Sequence, residues 1–191
     1  MTEKAARDAL LMAGVAAGDS AAFGTLMQVY MPRAYRAAYR LVNSASDSQD
    51  LAQEAMLRVW RHAETFNPER ASFAVWFYRI VTHLAFDRLR QQRRAGEHWG
   101  LEAAAEVADQ APGAEALMIA QAERQRVAAA LARLPERQRA VVVLVHYEGL
   151  SGREAAEALS MTAKAVESLL HRAMKTLRLM MMENEHIRGA H

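Results

Sequence analysis

From Arg94 to Ala114 the sequence RAGEHWGLEAAAEVADQAPGA holds three of the chain's nine glycines and one of its four prolines. No helical stripe within it lasts longer than about two turns. This break constrains the fold more than any other feature, because it divides the 191 residues into two stretches that must each build their own core. On both sides apolar residues recur at helical spacing, and no β-alternation is sustained. Helices are expected at about 3–16, 19–43, 47–64 and 72–93, with breaks at Gly18-Asp19, Asn43-Ser44 and Phe66-Asn67-Pro68. Further helices are expected at about 115–133, 136–147, 152–159 and 163–182. Scarce glycine and proline beside a 52% hydrophobic content fit the same picture. The expected fold class is all-α, with two small helical domains over 1–94 and 115–183. A flexible acidic linker over 95–114 joins them, and residues 184–191 form a tail.

Net charge is +2, the difference between 24 basic and 22 acidic residues, and its distribution says more than its sum. Residues 58–94 carry eight arginines against Glu64, Glu69 and Asp87. From Ala95 to Glu123 there is no Lys or Arg, while Glu97, Glu102, Glu106, Asp109, Glu115 and Glu123 are acidic. Beyond, the chain is basic again, by six to four over 124–163 and four to one over 164–182. Two basic modules flanking an acidic strip suit approach to a polyanion. Charge blocks also mark ordinary solvated helix faces, and charge alone leaves both readings open.

Several function classes fall away early. With no cysteine there is no disulfide, thiolate chemistry or Cys-ligated metal. There is no H-E-x-x-H spacing, no phosphate-cradling glycine loop and no credible pairing of nucleophile and base, so neither a metal, a cofactor nor catalysis is expected. No run approaches the roughly 18 uncharged apolar residues of a membrane span, and the charged start MTEKAARDALLMAG is no secretory signal. A cytoplasmic protein without membrane insertion is expected.

On the helix near 47–64, Leu51, Ala52, Ala55, Met56, Val59, Trp60 and Ala63 share one side, and Asp47, Asp50, Glu54, Arg58 and Arg61 the other. Leu57 lies among the polar positions. The acids complement the helix macrodipole, but an acidic face with an exposed leucine also suits a basic protein partner. In the next helix Phe73, Trp76, Phe77, Ile80, Val81 and Leu84 form an apolar surface. Arg79, His83, Asp87 and Arg90 make a polar stripe expected to face outward, and Arg88, Arg90, Arg93 and Arg94 can contact phosphates.

The segment YEGLSGREAAEALSMTAKAVESLLHRAMKTLR has the layout of a helix-turn-helix. Ser151 and Glu154 form an S-x-x-E capping box. Ser160-Met161-Thr162 supplies the turn, with Thr162 as N-cap. In the second helix Val166, Leu169, Leu170, Ala173, Leu177, Met180 and Met181 face inward. Opposite them lie Lys164, Glu167, Ser168, His171, Arg172, Lys175 and Arg178. Glu167 can accept from a cytosine amino group, and Ser168, His171 and Arg172 can donate to base edges or phosphates. The Met180-Met181-Met182 triplet is expected to complete the C-terminal core, or else to offer an adaptable contact surface.

Taken together, residues 50–94 (DLAQEAMLRVWRHAETFNPERASFAVWFYRIVTHLAFDRLRQQRR) and 131–178 (LARLPERQRAVVVLVHYEGLSGREAAEALSMTAKAVESLLHRAMKTLR) closely resemble the extracytoplasmic-function (ECF, group IV) sigma factors of the bacterial sigma-70 family. The resemblance implies a promoter-specificity subunit of RNA polymerase, not an enzyme. Residues 1–94 correspond to the family's domain 2 and 115–183 to its domain 4. It implies that Asp50, Gln53, Glu54 and Leu57 dock on the β′ clamp helices of core polymerase, with a further contact to the β flap. Asn67, Arg70 and Ser72, in the loop FNPERAS, would line a pocket for a flipped minus-ten base, where binding offsets the cost of extrusion. Arg79, Thr82, His83, Asp87 and Arg88 would read the rest of that element. Lys164, Glu167, Ser168, His171, Arg172 and Lys175 would contact the minus-thirty-five element. Many relatives have a basic residue in place of Glu167 and an arginine in place of Leu169, so the usual minus-thirty-five sequence is not implied. The acidic linker would thread toward the polymerase active-site and RNA-exit channels. An anti-sigma factor, often membrane-anchored in the family, would hold such a factor inactive. The alternative is a two-domain helix-turn-helix regulator that binds DNA without joining polymerase.

Overall fold

The structure, a computed structural model, describes residues 2–96 and 125–188, with side chains as far as Met182. Among these residues every regular element is helical. The first module comprises α1 (Glu3–Ala16), α2 (Ser20–Val42), α3 (Ala45–Arg61), a 3-10 turn (Ala63–Thr65) and α4 (Phe73–Ala95). In the second, α5 covers 125–132 and α6 (Glu136–Val142) runs into a π-helical turn (Val143–Tyr147). The helix-turn-helix pair, α7 (Gly152–Ala158) and α8 (Ala163–Arg188), follows.

Side-chain caps explain most of the starts, since each satisfies amide donors that the first turn leaves orphaned. Asp19 accepts from the Ala21 and Ala22 amides, Ser44 from Asp47 and Ser72 from Val75. Ser151 and Glu154 form the full reciprocal capping box. Two helices end on left-handed residues, α2 at Asn43 (φ 54°) and α4 at Gly96 (φ 71°), as short polar or glycine C-caps do.

Boundaries differ from expectation in a few places. Helix α4 reaches Ala95, one residue into the expected linker, and α8 continues to Arg188, past the expected tail boundary at 184. Helix α3 begins at Ala45 and stops at Arg61, its last expected turn being the 3-10 turn. Pro32 sits inside α2 without ending it. The remainder of the acidic linker and the expected 115–124 part of its following helix lie outside the described residues.

The first core centres on Tyr30 of α2 and on Phe73 and Phe77 of α4, all buried. The Tyr30 ring meets Phe73 edge-on at 4.8 Å and Phe77 at 5.0 Å. Each fully buried ring of this kind contributes about 1.5–3 kcal/mol of transfer free energy. Helix α1 closes the bundle with Met12 and Val15, and its buried Asp8 accepts the Tyr30 hydroxyl. Burial, with Asp8 second, raises the Tyr30 pKa far above the ordinary tyrosine range.

The modules are not separate bodies. One apolar cluster runs from α2, α3 and α4 into Val141, Leu144, Ala155, Ala158 and Val166 of the second module. A smaller cluster of Leu131, Leu134, Val142 and Ala173 holds α5, α6 and α8 together. Arg139 ties both modules at one point. It donates to the Leu41 carbonyl at 2.6 Å in α2, and to Ala132 (2.6 Å) and Leu134 (3.1 Å) in its own module. Burial lowers its pKa, and the nearby Glu136 carboxylate opposes that.

One packing expectation is corrected. Among the described residues neither cluster includes Met180, Met181 or Met182: Met182 is 51% exposed and Leu179 beside it 54%, while Met180 and Met181 are half-buried. Among the described residues Leu177 is the last of α8 that packs on the smaller cluster, and the helix continues to Arg188.

Candidate nucleic-acid interface

Helix α3 presents Asp50, Gln53, Glu54 and Leu57 on consecutive turns of one face. Asp50 and Gln53 are exposed, Glu54 is partly exposed, and Leu57 keeps 45% of its surface in solvent. Glu54 is paired with Arg58 at 2.8 Å, one turn on. Asp47 departs from the expected polar face. It is buried, and its carboxylate accepts from Arg88 and, at 2.7 Å, from Gln92 of α4. It therefore locks α3 to α4, and two carboxylates rather than three mark the N-terminal part of the acidic α3 face. Trp60, placed in the core by periodicity, is 38% exposed one turn beyond Leu57, its ring tilted against Phe23 at 5.0 Å. It extends the apolar part of the same face. Its place on the wheel edge was the only sequence signal available.

The loop between the 3-10 turn and α4 is pinned from inside. Asn67 accepts the Glu69 amide at 2.8 Å through its side chain and the Arg70 amide at 3.1 Å through its carbonyl. Asn67 and Arg70 are exposed, and Ser72 is half-buried as the α4 cap. Phe66 stacks its edge toward Phe73 (5.9 Å) and Trp76 (5.6 Å), so an aromatic wall stands under the loop. Such a wall can receive an unstacked base.

On α4 the expected outward stripe holds for His83 and Arg90, which are exposed, and for Asp87, which is partly so, but not for Arg79, which meets the second module. Arg79 donates to the Glu157 carbonyl at the end of α7, at 2.8 Å, where a cation suits the helix C-terminus. His83, Asp87 and Arg90 line a cleft of about 580 Å³ between the modules, with Arg137, Leu159 and Met161 on its other side. Asp87 pairs with Arg90, and Arg88 with Asp47. Thr82 has no surface: it is fully buried, and its hydroxyl donates to the Tyr78 carbonyl at 2.8 Å. In this structure the eight minus-ten candidates therefore split: Asn67, Arg70 and Ser72 lie at the loop, Arg79, His83 and Asp87 face the second module or the cleft, Thr82 is buried, and Arg88 lies on the α3 side of α4 against Asp47.

Residues that sequence reasoning missed hold this cleft together. Tyr78 donates its hydroxyl to Glu148. Arg40 lies over the Tyr147 ring at 4.2 Å, and Arg93 pairs with Glu136 at 3.1 Å. Burial, with the Glu148 carboxylate second, raises the Tyr78 pKa far above the ordinary range, and burial lowers that of Arg40. Contacts between residues so far apart in sequence leave no local signal.

In the helix-turn-helix, Ser160 takes a left-handed conformation (φ 53°), and the Met161 amide donates to the Ala156 carbonyl at 2.8 Å. Thr162 then caps α8 by accepting the Ala165 amide at 3.2 Å. Val166 and Ala173 are buried on the inner side. Lys164, Glu167, Ser168, His171, Arg172 and Lys175 are all exposed on the outer side. Arg172 donates to the Ser168 carbonyl and hydroxyl, both at 3.2 Å, so these two side chains meet before any ligand arrives. This surface offers donors, one acceptor carboxylate and cations, as major-groove readout requires. Among the described residues no three acidic or histidine side chains converge as a metal site, and no helix is long and apolar enough to cross a membrane.

Comparison with known proteins gives the same two modules. Sigma-70 region 2 matches residues 26–95 and Sigma-70, region 4, matches 124–177. The RNA polymerase sigma factor CnrH of Cupriavidus metallidurans is 34% identical over 89% of this chain and 92% of its own. The ECF RNA polymerase sigma factor RpoE of Cereibacter sphaeroides is 32% identical over 84% of this chain and 86% of its own. CnrH solved in complex with the cytosolic domain of CnrY superposes with a TM-score of 0.70 at 27% identity, over 93% of this chain and 98% of that one. These matches favour a sigma factor over a helix-turn-helix regulator that stands apart from polymerase: the chain belongs to the sigma-70 family as an ECF RNA polymerase sigma factor.

Proposed function

We propose that the chain acts in the cytoplasm by binding, without catalysis, and that its three surfaces have separate partners. The α3 face of Asp50, Gln53, Glu54 and Leu57, with Trp60 added, docks on the β′ clamp helices of core polymerase. The loop from Asn67 to Ser72 receives a minus-ten base, and Arg79, His83, Asp87 and Arg88 follow along that strand. Lys164, Glu167, Ser168, His171, Arg172 and Lys175 contact the minus-thirty-five element, and the second module meets the β flap. Melting is driven by the free energy of capturing an extruded base, which costs a few kcal/mol to unstack. An anti-sigma factor controls the protein, a reading supported by the complex of its relative CnrH with the cytosolic domain of CnrY.

The observation that carries the reading is the solvent-facing acid-and-leucine surface of α3 beside two basic modules, a surface that DNA binding alone does not need. Transcription reconstituted from core polymerase and this protein on a promoter library tests it. Holoenzyme formation and initiation from a defined promoter class are expected, and failure to bind the native core overturns the reading. Asp50→Lys with Glu54→Lys should abolish core binding while the circular dichroism spectrum stays helical. Unchanged core binding would remove the α3 face from the docking role.

A further inference from the structure

Among the described residues the polar contacts between the modules fall on α4 and on the C-terminal end of α2. Arg79, assigned above to the minus-ten strand, donates to the Glu157 carbonyl. One residue before it, Tyr78 donates to Glu148, and Arg40 covers Tyr147 at 4.2 Å. Arg93 meets Glu136 at 3.1 Å about four turns further along α4. His83 and Arg90 face the 580 Å³ cleft, whose opposite wall is Leu159 and Met161 from the helix-turn-helix. That volume is the size of a small-molecule pocket, too small for a nucleic-acid strand following several turns of α4. The contact is also imperfect. Among the described residues the Nε–H groups of Arg79 and Arg139 are buried without an acceptor, and such groups are costly to leave unmatched.

We propose that this contact is an autoinhibitory latch that works without any partner chain. While it is closed, the Arg79 guanidinium is held on the Glu157 carbonyl and withheld from the minus-ten strand, the exposed His83 opens only onto the cleft, and DNA competes with the second module for this part of α4. The latch rests on the minus-ten reading given above. The protein's apparent affinity for single-stranded DNA is the open-state affinity multiplied by the open fraction, so loosening the contact at Tyr147 and Glu148 changes binding without touching a residue assigned to DNA.

The absence of cysteine allows a direct test on the full chain. Arg93→Cys with Glu136→Cys is joined by a reducible bis-maleimide, and binding of a labelled random-sequence single-stranded oligonucleotide pool is measured before and after the linker is reduced. Reduction should tighten binding about tenfold or more. In a second variant, Tyr147→Ala with Glu148→Gln, dyes on Gln49→Cys and Arg153→Cys should show lower energy transfer, and the pool should bind several-fold more tightly. Equal binding before and after reduction overturns the occlusion. Unchanged energy transfer in the second variant overturns the assigned latch contacts. Absence of binding in every state overturns the minus-ten reading and the occlusion with it, while the energy transfer still reports the latch on its own.

Discussion

Tyr78 occupies the boundary between the modules, with its ring buried and its hydroxyl donated to Glu148. Burial and that carboxylate both penalise the phenolate, so the folded-state pKa lies far above the unfolded value of about 10. Tyr30, against Asp8, is shifted the same way for the same reasons. A raised pKa stabilises the fold through the protonated form. The contribution is fully present below about pH 10 and is lost as pH climbs from there toward the folded-state value. The urea midpoint should therefore stay flat on the alkaline side up to about pH 10 as far as these two groups are concerned, and fall above it. Absorbance titration of the phenolate checks the premise. Tyr78→Phe should titrate with the same amplitude as wild type up to about pH 11, because Tyr78 contributes nothing there. A smaller amplitude in the variant would mean that Tyr78 ionises in the folded protein.

Whole helices follow from local rules, which is why most were legible. The caps Asp19, Ser44, Ser72 and Ser151 and the left-handed ends at Asn43 and Gly96 depend on neighbours within a few residues. Periodicity likewise found the inner side of α8, where Val166 and Ala173 are buried. It failed where a third element decides. Asp47 is polar yet buried because α4 brings Arg88 and Gln92 to it. Thr82 is buried because its hydroxyl can return to its own helix carbonyl. Arg79 alone of its stripe turns inward, because the end of α7 offers it the Glu157 carbonyl. The acidic α3 face and the outer face of α8 were legible as exposed surfaces for the same reason that the cleft was not: among the described residues no other element covers them. On that outer face Glu167 is the one carboxylate among cations, suited to accept from a cytosine amino group. Glu167→Ala should relax selectivity at one minus-thirty-five base pair by roughly 1–3 kcal/mol, read from transcription on a promoter library randomised there. A profile identical to wild type would remove that contact.

At the scale of the molecule, the near-neutral total charge averages two basic modules against an acidic segment and an acidic docking face. Electrostatics alone would keep like-charged modules apart, so their contact must be held by burial and by directed hydrogen bonds. Arg139 is the most connected of these. One guanidinium serves carbonyls at the end of α2 and in the α5–α6 connection, so neither module can unfold without disturbing the other's hydrogen bonding. Together with the apolar cluster that crosses the boundary, it should make the two modules melt as one cooperative unit. Arg139→Met keeps the apolar stem but abandons two buried carbonyls, Leu41 and Leu134, and the part-buried one of Ala132. A stranded buried acceptor costs about 1–3 kcal/mol. Part of that loss falls on the α5–α6 connection and part on the boundary. Calorimetry should show one transition for the wild-type chain. For the variant, the second module should unfold at lower temperature and the first near its original one, giving two transitions or a broadened low-temperature shoulder. A single transition at the wild-type temperature would mean that the apolar cluster alone couples the modules and that Arg139 is dispensable to it.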